Sequence, residues 1–324
     1  MGTAMDALGI QCENDVKIGQ NLLDDVLVKR VIDQIERMSE KGPMGVRRRL
    51  LSTSVRLSRS MSPAVHKLAD HCIETLGVDI PLELYAYASP QFNAACFKPE
   101  EGRLFVMFSS SLLEAFDEKE LMFVVGHEFG HHVYQHHDIP VGYILNGKQR
   151  PPANLALQIF AWTRYAEISA DRAGAFCAND LESVARALFK LASGLTSDRI
   201  VSFNLSEFLQ QLDEMQAADA EPGQGAPVQD WFSTHPFSPL RVRALQLFHE
   251  SGLMQDEGMG KEELEIRVQG IMGLMEPAYL EGHTETAKIM RLLFIAGAIA
   301  VANARDGISE QEKATLKEFV GEGF

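Results

Sequence analysis

Apolar residues recur at helical spacing early in the chain. Leu22, Leu23, Val26, Val28, Val31, Ile32 and Ile35 predict helix over residues 20–60, broken by Gly42-Pro43-Met44-Gly45. A second helix is expected over SPAVHKLADHCIETLGV, with Ser62 as N-cap and Pro63 at the first helical position. The pattern then shortens. LELYAY, FNAACFK and RLFVMFS read as short strands, and Pro99-Glu100-Glu101-Gly102 as a hairpin-type turn between the last two. This is the one clear β region. Asp117 and Glu120 have capping-box spacing, so a helix should start near residue 118 and run to about His136, with Pro140 beyond it. Residues 139–154 read as a loop, 154–178 and 181–192 as helices, and most of the remaining chain as helical. A Gly/Pro-rich stretch at 218–230 reads as a linker, and 255–263 as a second boundary. The expected class is α+β, mostly helical, with a small β-sheet beside a central helix. The expected divisions are a helical region 1–61, a main domain 62–255 and a C-terminal helical module 256–324.

Charge narrows the partners. The chain of 324 residues carries 30 Lys and Arg against 45 Asp and Glu, a formal balance of −15, which gives no electrostatic reason to bind nucleic acid. The run Arg47-Arg48-Arg49 is read as a solvated helix end rather than a lipid-binding patch. The four cysteines, Cys12, Cys72, Cys96 and Cys177, form no C-x-x-C pair and suit a reducing compartment. The opening residues carry no secretory pattern, and Asp6 breaks a myristoylation motif at Gly2. The longest apolar run, Leu292 to Ala304, is shorter than the roughly 20 residues that span a bilayer. A soluble, cytoplasmic protein without a transmembrane segment is expected.

The chemistry concentrates in VVGHEFGHHVYQHH, which holds five of the ten histidines. His127, Glu128 and His131 form H-E-x-x-H. On a helix the two imidazoles share one face and can bind one Zn²⁺, while Glu128 reaches a water activated there as its general base. Gly126 and Gly130 thin the helix where another backbone must approach. His132 points about 100° from His131 and cannot share its face. His136 and His137 read as an exposed helix end. A third ligand is better sought in RYAEISADRAG, where Glu167 and Asp171 stand at i, i+4 on an otherwise apolar helix. Carboxylates there need partners. Zinc would satisfy Glu167, and a ligand imidazole N–H would satisfy Asp171 as its orienter. The alternative is two acids salt-bridged to Arg164 and Arg172.

Four blocks in this order, SPQFNAACF, SSSLLEAFDEKELMFVVGHEFGHHV, RYAEISADRAGAF and STHPFSPLRVRAL, resemble the HtpX-type and CAAX-prenyl-endopeptidase zinc metallopeptidases, which are gluzincins. The resemblance covers about residues 62–250. It implies one Zn²⁺ per chain held by His127, His131 and Glu167, with Glu128 as general base and Asp171 behind the ligands. It also implies that His235 and Arg241, in an H-P-x-x-x-x-R pattern, stabilise the oxyanion, and that Asn93-Ala94 lies on an edge strand that holds substrate as an added strand. Relatives commonly carry membrane helices or lipoprotein signals, and neither pattern is seen here. The expected function is a soluble zinc endopeptidase acting on peptides or unfolded proteins, latent or gated by the loops 139–154 and 218–230. The alternatives are a catalytically silent zinc-containing stress-response or interaction protein and a cation-binding module at the C-terminal end.

Residues 284–324 resemble part of the TerB-like tellurite-resistance domain. The resemblance implies a helical module. Asp306, Glu310 and Glu312 are read as capping acids rather than cation ligands, since too few oxygen donors are visible. The apolar stretch Leu292–Val301 needs a surface to cover it: the rest of the chain, a second copy or a protein partner.

Overall fold

In the computed structural model, residues 7–39, 42, 45–147, 150–197, 199–219 and 228–276 are described, together with positions 293, 296, 297 and 300. Apart from those positions, the segment 284–324 with its TerB-like resemblance lies outside the described residues, as do residues 220–227 of the expected linker.

The helices α1 (Glu13–Asp24) and α2 (Val26–Ser39) replace the first part of the single helical stretch expected from periodicity. Asp25 divides them. Its backbone is extended, and its carboxylate accepts from the N–H groups of Leu27 and Val28 at 2.7 and 3.1 Å, capping α2. Helix α3 (Val46–Thr53) leads into β1 (Val55–Leu57), a three-residue strand that the sequence pattern did not reveal. Helix α4 (Pro63–Leu76) begins with the expected proline.

Strands β2 (Leu82–Tyr87), β3 (Ala94–Glu100) and β4 (Arg103–Ser109) join β1 in a four-stranded sheet of order β1-β2-β4-β3. β2 and β4 are parallel, and the other two pairs antiparallel. The β3–β4 turn falls on Glu101 and Gly102, both at positive φ (52° and 69°), as a tight hairpin requires. β3 is therefore an edge strand.

After the short α5 (Ser110–Ala115), the central helix α6 (Glu118–Val133) starts with the expected capping box. Glu120 of that box is fully buried and held by Arg186 and Lys190 at 2.8 and 2.7 Å. Helix α7 (Val141–Leu145) lies within the segment expected to be a loop, and α8 (Ala153–Ala178) follows. α6 and α8 pack backbone against backbone: a Cβ on Gly126 would stand 2.9 Å from the Gly174 Cα, and one on Gly174 would overlap the Phe123 carbonyl oxygen.

Helices α9 (Leu181–Ser193), α10 (Leu205–Asp219), α11 (Val228–Trp231) and α12 (Ser238–His249) complete the shell around this pair. Helix α13 (Lys261–Met272) packs in the same core through Leu264, Val268 and Met272, and Ile10 and Cys12 enter it from the other end of the chain. Residues assigned by sequence to an N-terminal region and a C-terminal module thus share one core with residues 62–255. The whole is mostly helical with one small sheet. Among the described residues no helix is long and apolar enough to cross a membrane.

Candidate active site

Helix α6 presents His127, Glu128 and His131, and α8 presents Glu167 and Asp171. His127 and His131 share a face one turn apart, and their Nε2 atoms lie 3.2 Å from each other. Glu167 completes a triangle, with its Oε2 3.6 Å from His127 Nε2 and its Oε1 3.5 Å from His131 Nε2. Among the described residues these three form the group of His, Cys, Asp or Glu side chains able to hold a metal ion. The donor set fits zinc. Ligand atoms at about 2.0–2.1 Å from a tetrahedral zinc stand roughly 3.3–3.4 Å apart, close to these edges.

The outward-facing nitrogens are prepared for such a role. His127 Nδ1–H donates to Asp171 Oδ1 at 2.9 Å, which leaves a lone pair on Nε2. Asp171 is fully buried, and Arg241 donates to it from Nε and Nη2 at 2.7 and 2.6 Å. Burial alone would raise the Asp171 carboxyl, but Arg241 and His127 outweigh it and hold it down at about 2. Burial pushes the His131 imidazole well below its usual range, and any charge on its histidine neighbours acts in the same direction.

Glu128 is buried beside the triangle. Burial pushes its carboxyl up to about 7, Glu167 adds to this, and His127, the Cys96 backbone N–H and Arg241 oppose it. The Cys96 contact ties Glu128 to the edge strand. Ser109 N–H donates to the Asn93 carbonyl at 2.9 Å, so this pair is a hydrogen-bonded one. Alternation along an antiparallel ladder then turns the N–H and C=O of Ala94 and Cys96 away from β4, toward the open edge. The Asn93 side chain donates to the Tyr87 hydroxyl at 3.0 Å.

His235 lies on the segment between α11 and α12. Arg164, buried in α8, donates to the carbonyls of Trp231 and Ser233 at 3.0 and 3.2 Å and so pins that segment to the site. His235 Nε2 is 3.6 Å from Glu167 Oε1, with its side chain 65% exposed. The Arg241 guanidinium is engaged by Asp171, with Glu167 Oε2 3.7 Å from its Nη2.

A cavity of about 450 Å³ adjoins the triangle. His131 and Glu167 form part of its wall, Ile32 and Ile35 of α2 and Val141 of α7 supply apolar sides, and Lys98 of β3 stands at its edge.

Residues 60–149 and 150–248 match the profile of peptidase family M48. The chain belongs to peptidase family M48. It is 29% identical over 220 residues to the plastoglobule-localized metallopeptidase 48 of the Arabidopsis thaliana chloroplast, covering 62% of this chain and 61% of that protein. It is 24% identical over 218 residues to a protease HtpX homolog of Helicobacter pylori, covering 56% of this chain and 66% of that protein. The chain thus matches less than two thirds of the length of either relative. No solved structure matches.

Glu128, Glu167, His127, His131, Asp171, His235 and Arg241 all fall inside the matched residues. The match does not cover α1 or α2, which reach the site from outside. Sequence reasoning placed His136 on an exposed helix end, and this is corrected: His136 is 7% exposed and lies against His131, with their Nδ1 atoms 2.9 Å apart. Asp15 and Trp162, behind His136, were not singled out at all. The only sequence signals for them are an acid in the first turn of a helix and an indole on an apolar one.

Proposed function

We propose that the chain is a zinc-dependent endopeptidase that cleaves peptides or unfolded proteins. The observation that carries this reading is the triangle of His127 Nε2, His131 Nε2 and a Glu167 oxygen, with the Glu128 carboxylate buried beside it. Zinc, when bound there, would polarise the scissile carbonyl and lower the pKa of water toward about 7. Each remaining task falls to the chain itself. A substrate backbone pairs with the outward N–H and C=O of Ala94 on the edge strand, which fixes an extended peptide without demanding particular side chains. Glu128, aimed by the Cys96 N–H, takes a proton from the attacking water and passes it to the leaving amine. His235, on its pinned segment, is the group placed to hydrogen-bond the oxygen that gains charge. Asp171 and Arg241 keep His127 in the correct tautomer. The cavity beside His131 takes a large apolar side chain of the substrate.

Peptidase chemistry is assigned to residues 62–255, and a partner-binding or regulatory role to the segment from 256 onward. The four cysteines are free thiols, which supports a reducing, cytoplasmic setting. A silent zinc-containing interaction protein is the weaker reading, since it gives no reason to bury a carboxylate at Glu128. The test is zinc content together with cleavage of an unfolded protein by wild type and by Glu128→Gln. The variant should keep its zinc and lose about 10²–10⁴-fold in rate. Equal cleavage by both proteins, or none by a zinc-loaded wild type, rejects the reading.

A further inference from the structure

A hydrogen-bonded chain leaves His131 on the side away from His127. His131 Nδ1 meets His136 Nδ1 at 2.9 Å, and His136 Nε2 meets Asp15 Oδ2 at 3.0 Å. The other Asp15 oxygen accepts from Trp162 Nε1–H at 3.0 Å, and Gln11 donates to Oδ2 at 2.8 Å. Asp15 is 2% exposed, so this arrangement is held inside the protein. Burial opposes ionisation of its carboxyl, but the donations it receives, His136 foremost, keep it below the usual carboxylate range.

Two local features create the chain. Five residues along an unbroken helix, His136 would sit about 140° around the axis from His131 and could not touch it. Helix α6 instead ends at Val133, and Gln135 adopts the left-handed conformation (φ 59°), which brings His136 back. On the other side, α1 lies close on α8 at Gly19, where a Cβ would stand 2.9 Å from Trp162 Nε1. That approach delivers Asp15, four residues earlier, to both His136 and the indole.

The proton positions are set in order. An ionised carboxylate only accepts, so His136 carries its proton on Nε2. In the neutral imidazole its Nδ1 is then the acceptor, and His131 carries its proton on Nδ1. The lone pair of His131 therefore lies on Nε2, which faces His127 and Glu167. Without Asp15, His136 is free to hold its proton on Nδ1, and His131 is then driven to protonate the atom that faces the site.

We infer that Asp15 and His136 are positioning residues for His131, and that docking of α1 is a step in assembling the metal centre. The inference rests on the reading of His127, His131 and Glu167 as metal ligands. It adds a contribution from a helix outside residues 60–248, the part of the chain that matches the family. By linkage, zinc should tighten the docking of α1 by the same factor that docking of α1 tightens zinc.

The test compares zinc dissociation constants by chelator competition, with the visible spectrum of the cobalt-substituted protein as a report on ligand geometry. Asp15→Asn and His136→Gln keep size and polarity and should weaken zinc about 10–100-fold and change the cobalt bands. Leu188→Ala, a fully buried position on α9, an element that carries none of these hydrogen bonds and is not part of α1, controls for stability. It should lower the unfolding midpoint of the metal-free protein and leave zinc affinity within threefold of wild type. Wild-type affinity in both Asp15→Asn and His136→Gln overturns the inference, and so does an equal loss in Leu188→Ala. A wild-type protein that takes up no zinc overturns the metal-site reading, and this inference with it.

Discussion

The histidines of VVGHEFGHHVYQHH divide by what each nitrogen faces. His127 and His131 turn Nε2 to one another, and His136 stands behind His131. His137 is different: burial, reinforced by His136, His132 and Lys98, pushes its imidazole down to about 4, against a raising effect of Asp138. A base whose folded pKa is depressed stabilises the fold while it stays neutral. That contribution is present above the unfolded value of about 6.5 and is lost as pH falls toward 4. In metal-free protein, urea midpoints should therefore decline through this window, and His137→Gln should remove about 2–3 kcal/mol of the decline. An unchanged decline in the variant would show that other groups carry it. The residue scale is also where sequence reading reached furthest and stopped most abruptly. His127, Glu128 and His131 were legible because helix periodicity alone fixes their relation. Glu167 and Asp171 were legible because a carboxylate on an apolar helix needs a partner. Asp15 was not, because it lies 121 positions from His136 and only packing joins them. The bidentate grip of Arg241 on Asp171 spans 70 positions and was not legible for the same reason.

At the scale of elements, most of the departures concern ends. The capping box at Asp117 and the proline at Pro63 were readable because both act through residues three apart or fewer. The end of α6 was not, since a left-handed Gln135 carries no strong sequence signal. Nor was the division between α1 and α2, where one of two adjacent aspartates becomes a cap. That division matters, because it lets α2 turn and place Ile32 and Ile35 against the cavity beside the ligands. If this cavity takes a substrate side chain, narrowing it from α2 should change selectivity without touching the chemistry. Ile35→Trp should cut kcat/KM at least tenfold for peptides with Leu or Phe flanking the scissile bond, while Ala-flanked peptides change less than threefold, since filling an apolar pocket discriminates by about 1–3 kcal/mol. Mapping the termini of products from an unfolded protein reads this directly. An identical cleavage pattern in the two proteins would remove the cavity from the substrate path.

Across the whole molecule, the candidate metal-binding triangle is shared between two helices, and no single helix determines its size. Two corners, His127 and His131, ride on α6, and the third, Glu167, rides on α8. The spacing of those axes is set where Gly126 meets Gly174 and where Gly130 meets Ala170 and Ala173. These contacts act as a caliper closed on the backbone, and the ligand atoms inherit its opening. A single methyl inserted between the jaws, with every ligand intact, should spread the edges now at 3.5 and 3.6 Å and leave the 3.2 Å edge within α6 unchanged. Gly174→Ala is therefore expected to lose zinc affinity by more than its loss of stability explains, and to keep a cobalt spectrum of fewer protein ligands. Wild-type affinity in that variant would mean that the two helices can re-space without moving Glu167. The spacing that a bound ion would meet is thus recorded largely in residues with no side chain or only a methyl.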